Sequence, residues 1–292
     1  MKRKRIGKML LTLLMISFAL IFTVPLAVTL TNSFMSEVEI DRNYSMIGGA
    51  SSNAGDGKDA AFAVIRLIPD MITIKQYYTV LIKRTQFLFM FWNSAILVLP
   101  IVGGQFLVAS MAAYAFSKIE FTGREKLFYI YIVVMLMPFQ VTLVPNYLIA
   151  ERLGLVNNIL SIIFPGIFST FGVFLLKQFM TYIPDAYSEA ARVEGAGHWT
   201  VFTNIILPMS KTGIAAMLIL VFIDNWNMVE QPVIFLQDVG KQPLSVYLAQ
   251  INLGERGIGF AASVIYMAPM LLVFLYGEEY LVEGIQLSGI KG

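Results

Sequence analysis

Five stretches of this chain carry no charged side chain: residues 9–36, 85–117, 127–150, 153–176 and 257–277. Each is long enough to cross a hydrocarbon core about 30 Å thick, which takes roughly 20 helical residues. Only a helix or a closed barrel satisfies its own backbone polar groups there. The runs explain the composition, which is 57% apolar and 14% charged, where a soluble domain carries about 25% charged residues. A soluble enzyme, a nucleic-acid binder and a disordered chain are excluded. An outer-membrane barrel is disfavoured, because its strands are short and alternate in polarity. The net charge of +2 recruits no polyanion. The sequence has no cysteine, so disulfides, thiolate metal sites and cysteine nucleophiles are out of reach. His198 is the single histidine, which precludes a multi-histidine metal site in this chain.

The pattern predicts an all-α polytopic protein with six transmembrane helices. Lys2, Arg3, Lys4, Arg5 and Lys8 precede an apolar run to about residue 30. That run is longer than the 7–15 residues of a signal peptide and leads to no small-residue cleavage site, so an uncleaved first helix is expected. The basic residues hold its N-terminus in the cytoplasm. Residues 32–86 form the long polar segment, with six acidic and six basic residues and a glycine-rich stretch at 48–57. An extracytoplasmic loop holding one packed helix is expected there. Further helices are expected at about 87–116, 127–149, 159–177, 208–236 and 258–278, with Pro138 and Pro145 inside the third and Pro269 inside the sixth. Six spans return the C-terminus to the cytoplasm. Lys118, Arg124 and Lys126 suit a cytoplasmic loop after the second span.

The polar return 178–206 holds a segment that physical chemistry reads as a knob. Pro184 suits a first helical turn and Asp185 complements the helix dipole. Residues 189–194 are good helix formers. Gly195 and Gly197 permit the left-handed conformation that ends a helix. Thr200 is expected to cap a second short helix that stops at Pro208. Two short helices joined by a tight turn make a compact projection that fits a cleft in a soluble partner.

Glu189, Ala190, Ala191, Gly195, Ile205, Leu207 and Pro208 also fit the pattern EAA-x3-G-x9-I-x-L-P without a gap. The segment resembles the coupling loop of ABC importer permeases. Trp92-Asn93-Ser94, Tyr114-Ala115-Phe116-Ser117-Lys118, Trp226-Asn227 and the C-terminal Gly284-x4-Gly289-x-Lys291-Gly292 look like the carbohydrate-uptake (MalG-like) branch of that family, binding-protein-dependent inner-membrane components. The resemblance runs from about residue 87 to the end. It departs from the family pattern at Glu194, where Asp is usual, at Met228, where Asp usually follows Trp-Asn, and at the acidic Glu278, Glu279 and Glu283.

The resemblance implies a type I permease fold and a division of the chain. Residues 1–31 are the cytoplasmic N-terminus and first helix, 32–86 the outer loop, 87–282 the permease domain with its coupling loop at 178–208, and 283–292 a cytoplasmic tail. It implies no catalysis by this chain. No Walker A pattern is present, so ATP and magnesium belong to partner ATPases and the chain itself is expected to bind no cofactor and no metal. The implied partners are a second permease, two ATPase subunits, an extracytoplasmic solute-binding protein and the bilayer of a bacterial-type inner membrane, with no nucleic acid. Glu189 is expected to meet a basic residue of the ATPase.

Asp224, Asn225, Trp226, Asn227 and Glu230 are the candidate substrate pathway. Asp224 lies 15 residues after Met209, or about 22 Å of helix, which puts it beyond the midplane. A lipid-facing Asp at that depth costs about 2.5–3.5 kcal/mol on insertion scales, so these groups face the bundle or water. Trp226 offers a flat apolar face for a sugar, and it equally serves as interhelical glue or an interface aromatic. Asn93 is expected to cap a helix or meet interfacial water. Gly103-Gly104 is expected to permit close helix contact. An importer for amino acids or peptides shares the coupling motif. A self-contained secondary transporter predicts paired intramembrane charges or broken inverted repeats; no such pair of repeats is found, and the knob would be unexplained.

Overall fold

The structure, a computed structural model, describes residues 2–44, 66–251 and 255–289, with the backbone alone for 2–6 and 283–289. The glycine-rich stretch 48–57 and the last three residues lie outside the described residues, as do the side chains of Glu283 and the tail. Every regular element among the described residues is helical. Among the described residues, four helices are long and apolar enough to cross a membrane, and up to six spans result if each of two bent helix pairs counts as one.

Sharp breaks divide runs that their hydropathy shows as continuous. The expected third helix is two, Arg124–Met135 and Phe139–Arg152, bent by 98°. Pro138 lies between them with φ −63° and ψ 140°. A proline has no N–H to give and pushes its predecessor out of the helical region, so the helix stops before it. Pro145, inside the second piece, is tolerated where neighbouring groups take up the freed carbonyl. The fourth run, Leu160–Thr181, stays one span and is interrupted only locally at Ser169, ψ 135°, between Leu160–Ile167 and Thr170–Thr181. The expected fifth helix, 208–236, is shorter: Lys211–Trp226 meets His198–Met209 at 75°, and Glu230–Phe235 is a separate turn of helix. The final helix is longer than expected and runs from Arg256 to Gly289 through Pro269.

The chain divides into two compact units. The first holds Met1–Leu88 and Tyr247–Ala268. Its opening helix, Lys2–Asn32, exposes apolar side chains along its length, including Ile21 and Phe22. The segment after it carries the expected packed helix, Glu37–Tyr44, and, among the described residues, short helical turns at Lys75–Tyr78 and Thr79–Lys83. Gln76 is buried and its amide donates to the Met35 carbonyl, while the Ser33 and Tyr77 hydroxyls lie 2.7 Å apart. Arg84 closes this unit. Its guanidinium donates to both carboxylate oxygens of Glu255 and, at 3.0 Å, to the Tyr247 hydroxyl. The pairing raises the Arg84 pKa and holds the Glu255 carboxyl below its usual range, chiefly through the hydrogen bonds between them.

The second unit holds Phe89–Val246 and Pro269–Gly292. The body of Thr85–Lys118 is its longest helix, and small residues set its packing. A Cβ on Gly213 would fall 2.4 Å from Phe179 Cγ, and one on Gly172 would meet Gln105, Met217 and Ala109 at 3.0–3.1 Å. Hydrocarbon supplies no hydrophobic drive between helices, so close backbone approach of this kind holds a bundle together. Of the Gly103-Gly104 pair, Gly104 faces Ile167, and Gly103 has no neighbour in reach. Asn93 caps nothing: its amide donates to the Gly240 and Gln242 carbonyls, at 2.7 and 3.1 Å, and ties the second helix to the 239–242 turn.

Candidate functional site: an exposed helical hairpin and a polar cavity

The hairpin begins at Ile183-Pro184. Pro184 is extended, and the helix Asp185–Val193 starts behind it with Asp185 in its first turn and Arg192 in its last. The helix ends in a Schellman turn. The Gly195 N–H donates to the Arg192 carbonyl at 3.0 Å and the Ala196 N–H to that of Ala191 at 2.9 Å. Gly195 has φ +89°, which only glycine adopts without strain. Gly197 does not share this conformation: it is extended, φ −74°, and precedes the second helix, His198–Met209. Thr200 therefore lies inside that helix rather than capping it.

Exposure sorts the motif residues. Glu189, Ala190, Gly195 and Pro208 are exposed, whereas Ala191, Ile205 and Leu207 are half-buried. Val201, Phe202 and Ile206 are the buried side that anchors the second helix. Outward from the hairpin point Tyr187, Val193 and Trp199, at 51, 89 and 67% exposure. All three are large apolar side chains exposed on an otherwise polar hairpin, and Val193 and Trp199 flank its turn.

Lys118, the last residue of Thr85–Lys118 and of the Tyr-Ala-Phe-Ser-Lys segment, has a structural role that its charge and that segment did not specify. Its side chain is 2% exposed, donates to the Ile183 carbonyl, and pairs with Asp185 Oδ1 at 2.7 Å. It thereby fixes the start of the hairpin to the end of a span. Beside it is a polar cavity of about 520 Å³ between the 117–124 turn and the hairpin, with Glu189, Arg192 and the buried Ser188 hydroxyl on its wall. His198 is also at this wall, its Nδ1 3.5 Å from the Tyr114 hydroxyl.

The polar groups of the expected fifth helix separate. Asp224 and Asn225 line two adjoining cavities of about 410 and 300 Å³. Trp226 lines neither. It is 3% exposed, stacked on Phe222 at 5.3 Å and edge-on to Phe91 at 5.7 Å. The Asn227 amide donates to the Ile223 carbonyl at 2.9 Å, within its own helix. Glu230 opens the next helix and accepts from the Gln140 amide at 3.2 Å. The cavities recruit residues that sequence reasoning passed over: Gln105, Thr142, Asn146, Ser169 and Gln231. Gln105 and Asn146 are amides inside charge-free runs, which is the signal that could have found them. Among the described residues, no group of three metal-ligating side chains occurs.

Residues 82–285 match the family model described as binding-protein-dependent transport system inner membrane component. The arabinooligosaccharides transport permease AraQ of Halalkalibacterium halodurans is 27% identical over 227 residues, which is 77% of this chain and 81% of that protein. The sn-glycerol-3-phosphate transport permease UgpE of Pectobacterium atrosepticum is 30% identical over 211 residues, 70% of this chain and 74% of that protein. In fold, a crystal structure of a bacterial ABC transporter that imports the acidic polysaccharide alginate superposes over 96% of this chain and 98% of that one, with TM-score 0.79 and 21% identity.

Proposed function

The chain belongs to the binding-protein-dependent transport system inner membrane components, and from that membership we propose that it forms half of the pathway of an ATP-driven importer for a sugar or oligosaccharide. The hairpin carries the proposal. Seven motif residues at fixed spacing occupy a two-helix projection whose turn needs glycine at Gly195 and whose tip exposes Tyr187, Val193 and Trp199. In this reading the hairpin docks in a groove of the ATPase. Lys118 and Asp185 transmit its displacement to the span that ends at Lys118. ATP then favours one state of the bundle through contacts that differ between states. The chain hydrolyses nothing. ATP and magnesium act on the two ATPase subunits, and a solute-binding protein and a second permease complete the assembly.

The sugar reading is supported by the arabinooligosaccharide permease among the relatives and by cavities lined with amides and hydroxyls, which suit a polyol. Six spans, with both termini on one face, follow if each bent pair crosses once, and the basic N-terminus favours the cytoplasm for that face. The domain reading stays as 1–31, 32–86, 87–282 and 283–292. Co-purification in mild detergent tests the whole. An ATPase and a second permease should accompany the chain, and the binding protein encoded with them should stimulate ATP hydrolysis only with its sugar. Gly195→Asp should yield a folded complex without substrate-stimulated hydrolysis. Recovery of the chain alone, active in liposomes without ATP, would overturn the proposal.

A further inference from the structure

The two cavities that share Asp224 have a sign. Their hydrogen-bonding walls are neutral, from Gln105, Thr142, Asn146, Ser169, Asn225 and Gln231, and Asp224 is the one ionisable group among the described residues lining them. Asp224 is exposed within this chain, so its carboxylate meets whatever fills the space. One N–H of the Asn225 amide donates to the Val221 carbonyl at 2.8 Å, and the Gln105 amide donates to the Ser169 carbonyl at 3.4 Å. The charged group these residues offer a cargo is an acceptor. Among the described residues, no basic side chain lines either space to offset Asp224.

We propose that this half of the pathway selects by charge: it passes neutral and cationic saccharides, amino sugars among them, and disfavours uronates and phosphate esters. The inference rests on reading these cavities as part of the transport pathway. It divides what family membership leaves together, since the relatives include permeases named for a neutral oligosaccharide and for an anionic phosphate ester. A carboxylate facing an anionic sugar repels it, and the repulsion grows as the protein walls replace water around the pair. A ring hydroxyl or an ammonium group in the same place gains a charge-assisted hydrogen bond instead.

The absence of cysteine from the sequence makes the sign measurable. Ser169 lines both cavities. Ser169→Cys, in the whole importer with cysteine-free partner subunits, is treated during turnover with a cationic and an anionic methanethiosulfonate reagent. Each rate is normalised to reaction with a free thiol. Thr142→Cys serves as the second position should the first variant assemble poorly. The cationic reagent should react faster, and adding Asp224→Asn should lower the cation-to-anion ratio at least about fivefold, the change expected for removing one nearby charge in a watery cavity. An unchanged ratio overturns charge selection while leaving the pathway reading intact. Failure of both reagents to reach either cysteine in an importer that turns over removes the pathway reading, and this inference with it. Uptake of a uronate oligosaccharide as fast as its neutral counterpart, at equal occupancy of the binding protein, also overturns it.

Discussion

Lys118 and Asp185 form an unequal pair: the ammonium side chain is 2% exposed and the carboxylate 73%. Removing the exposed partner leaves a buried cation with the Ile183 carbonyl as its remaining acceptor among the described residues. Asp185→Ala should therefore lower stability by roughly 1–3 kcal/mol, as for a buried charged group left under-satisfied. Lys118→Met added to it should restore most of that loss, because an apolar stem of similar volume needs no counter-charge. Thermal unfolding of the two variants in detergent measures this, and a double variant no more stable than Asp185→Ala sinks the idea. Arg84 and Glu255 make a second residue-scale test, with a defined sign. The Glu255 carboxyl titrates below its usual range when folded, so its contribution to stability is complete above the unfolded carboxylate pKa of about 4.3. That contribution is lost as pH falls through the lowered folded value. The intact protein should lose more thermal stability between pH 5 and pH 3 than Glu255→Gln does, and equal slopes would contradict the pairing.

At the scale of elements, two glycines with different duties predict different failures. Gly213 lies where Lys211–Trp226 approaches Thr170–Thr181, with Phe179 in the space a methyl group would need. The nearest atoms are Cγ, Cδ2 and Cβ of Phe179, the base of the ring rather than the end of a flexible chain, so Gly213→Ala forces the helices apart and costs about 1–3 kcal/mol of overpacking. Gly195 has open space around it and a left-handed backbone. Gly195→Ala is thus strained by about 1–2 kcal/mol within the hairpin turn alone. The first variant should melt earlier as a whole; the second should melt nearly normally and lose substrate-stimulated ATP hydrolysis. The reverse pattern would mean that the hairpin, and not the glycine contact, carries the bundle's stability. These elements also show how much the sequence made legible. The hairpin was readable because proline, acid and glycine punctuate it at short range. The helix breaks at Pro138, Ser169 and Ser210 were not, since proline is common inside spans and a serine carries no backbone signal. Trp226 had two readings because its face depends on Phe91, more than 130 positions earlier, and no periodicity reports that contact. Gln105 and Asn146 reach the cavity for the same non-local reason, although their polarity inside apolar runs was visible.

For the whole molecule, charge and exposure together predict which surfaces reach which compartment. On the proposed orientation, Lys2, Arg3, Lys4, Arg5 and Lys8 before the first span and Lys118, Arg124 and Lys126 after the second lie in the cytoplasm, the side the positive-inside rule favours for them. That orientation predicts the hairpin on the same side and residues 66–74 outside. Ile68 and Val193 report on the two surfaces, at 81% and 89% exposure, and a cysteine at either is the only one in the chain. A membrane-impermeant maleimide should label Ile68→Cys in intact spheroplasts and Val193→Cys only in inverted vesicles. Co-expression of the ATPase subunits should then protect Val193→Cys and leave Ile68→Cys labelling unchanged, because docking buries the hairpin tip alone. Labelling of both positions from one face would refute the six-span reading. Correct sidedness without protection would keep that topology and separate the exposed tip from the ATPase contact, so that the two halves of the argument fail independently.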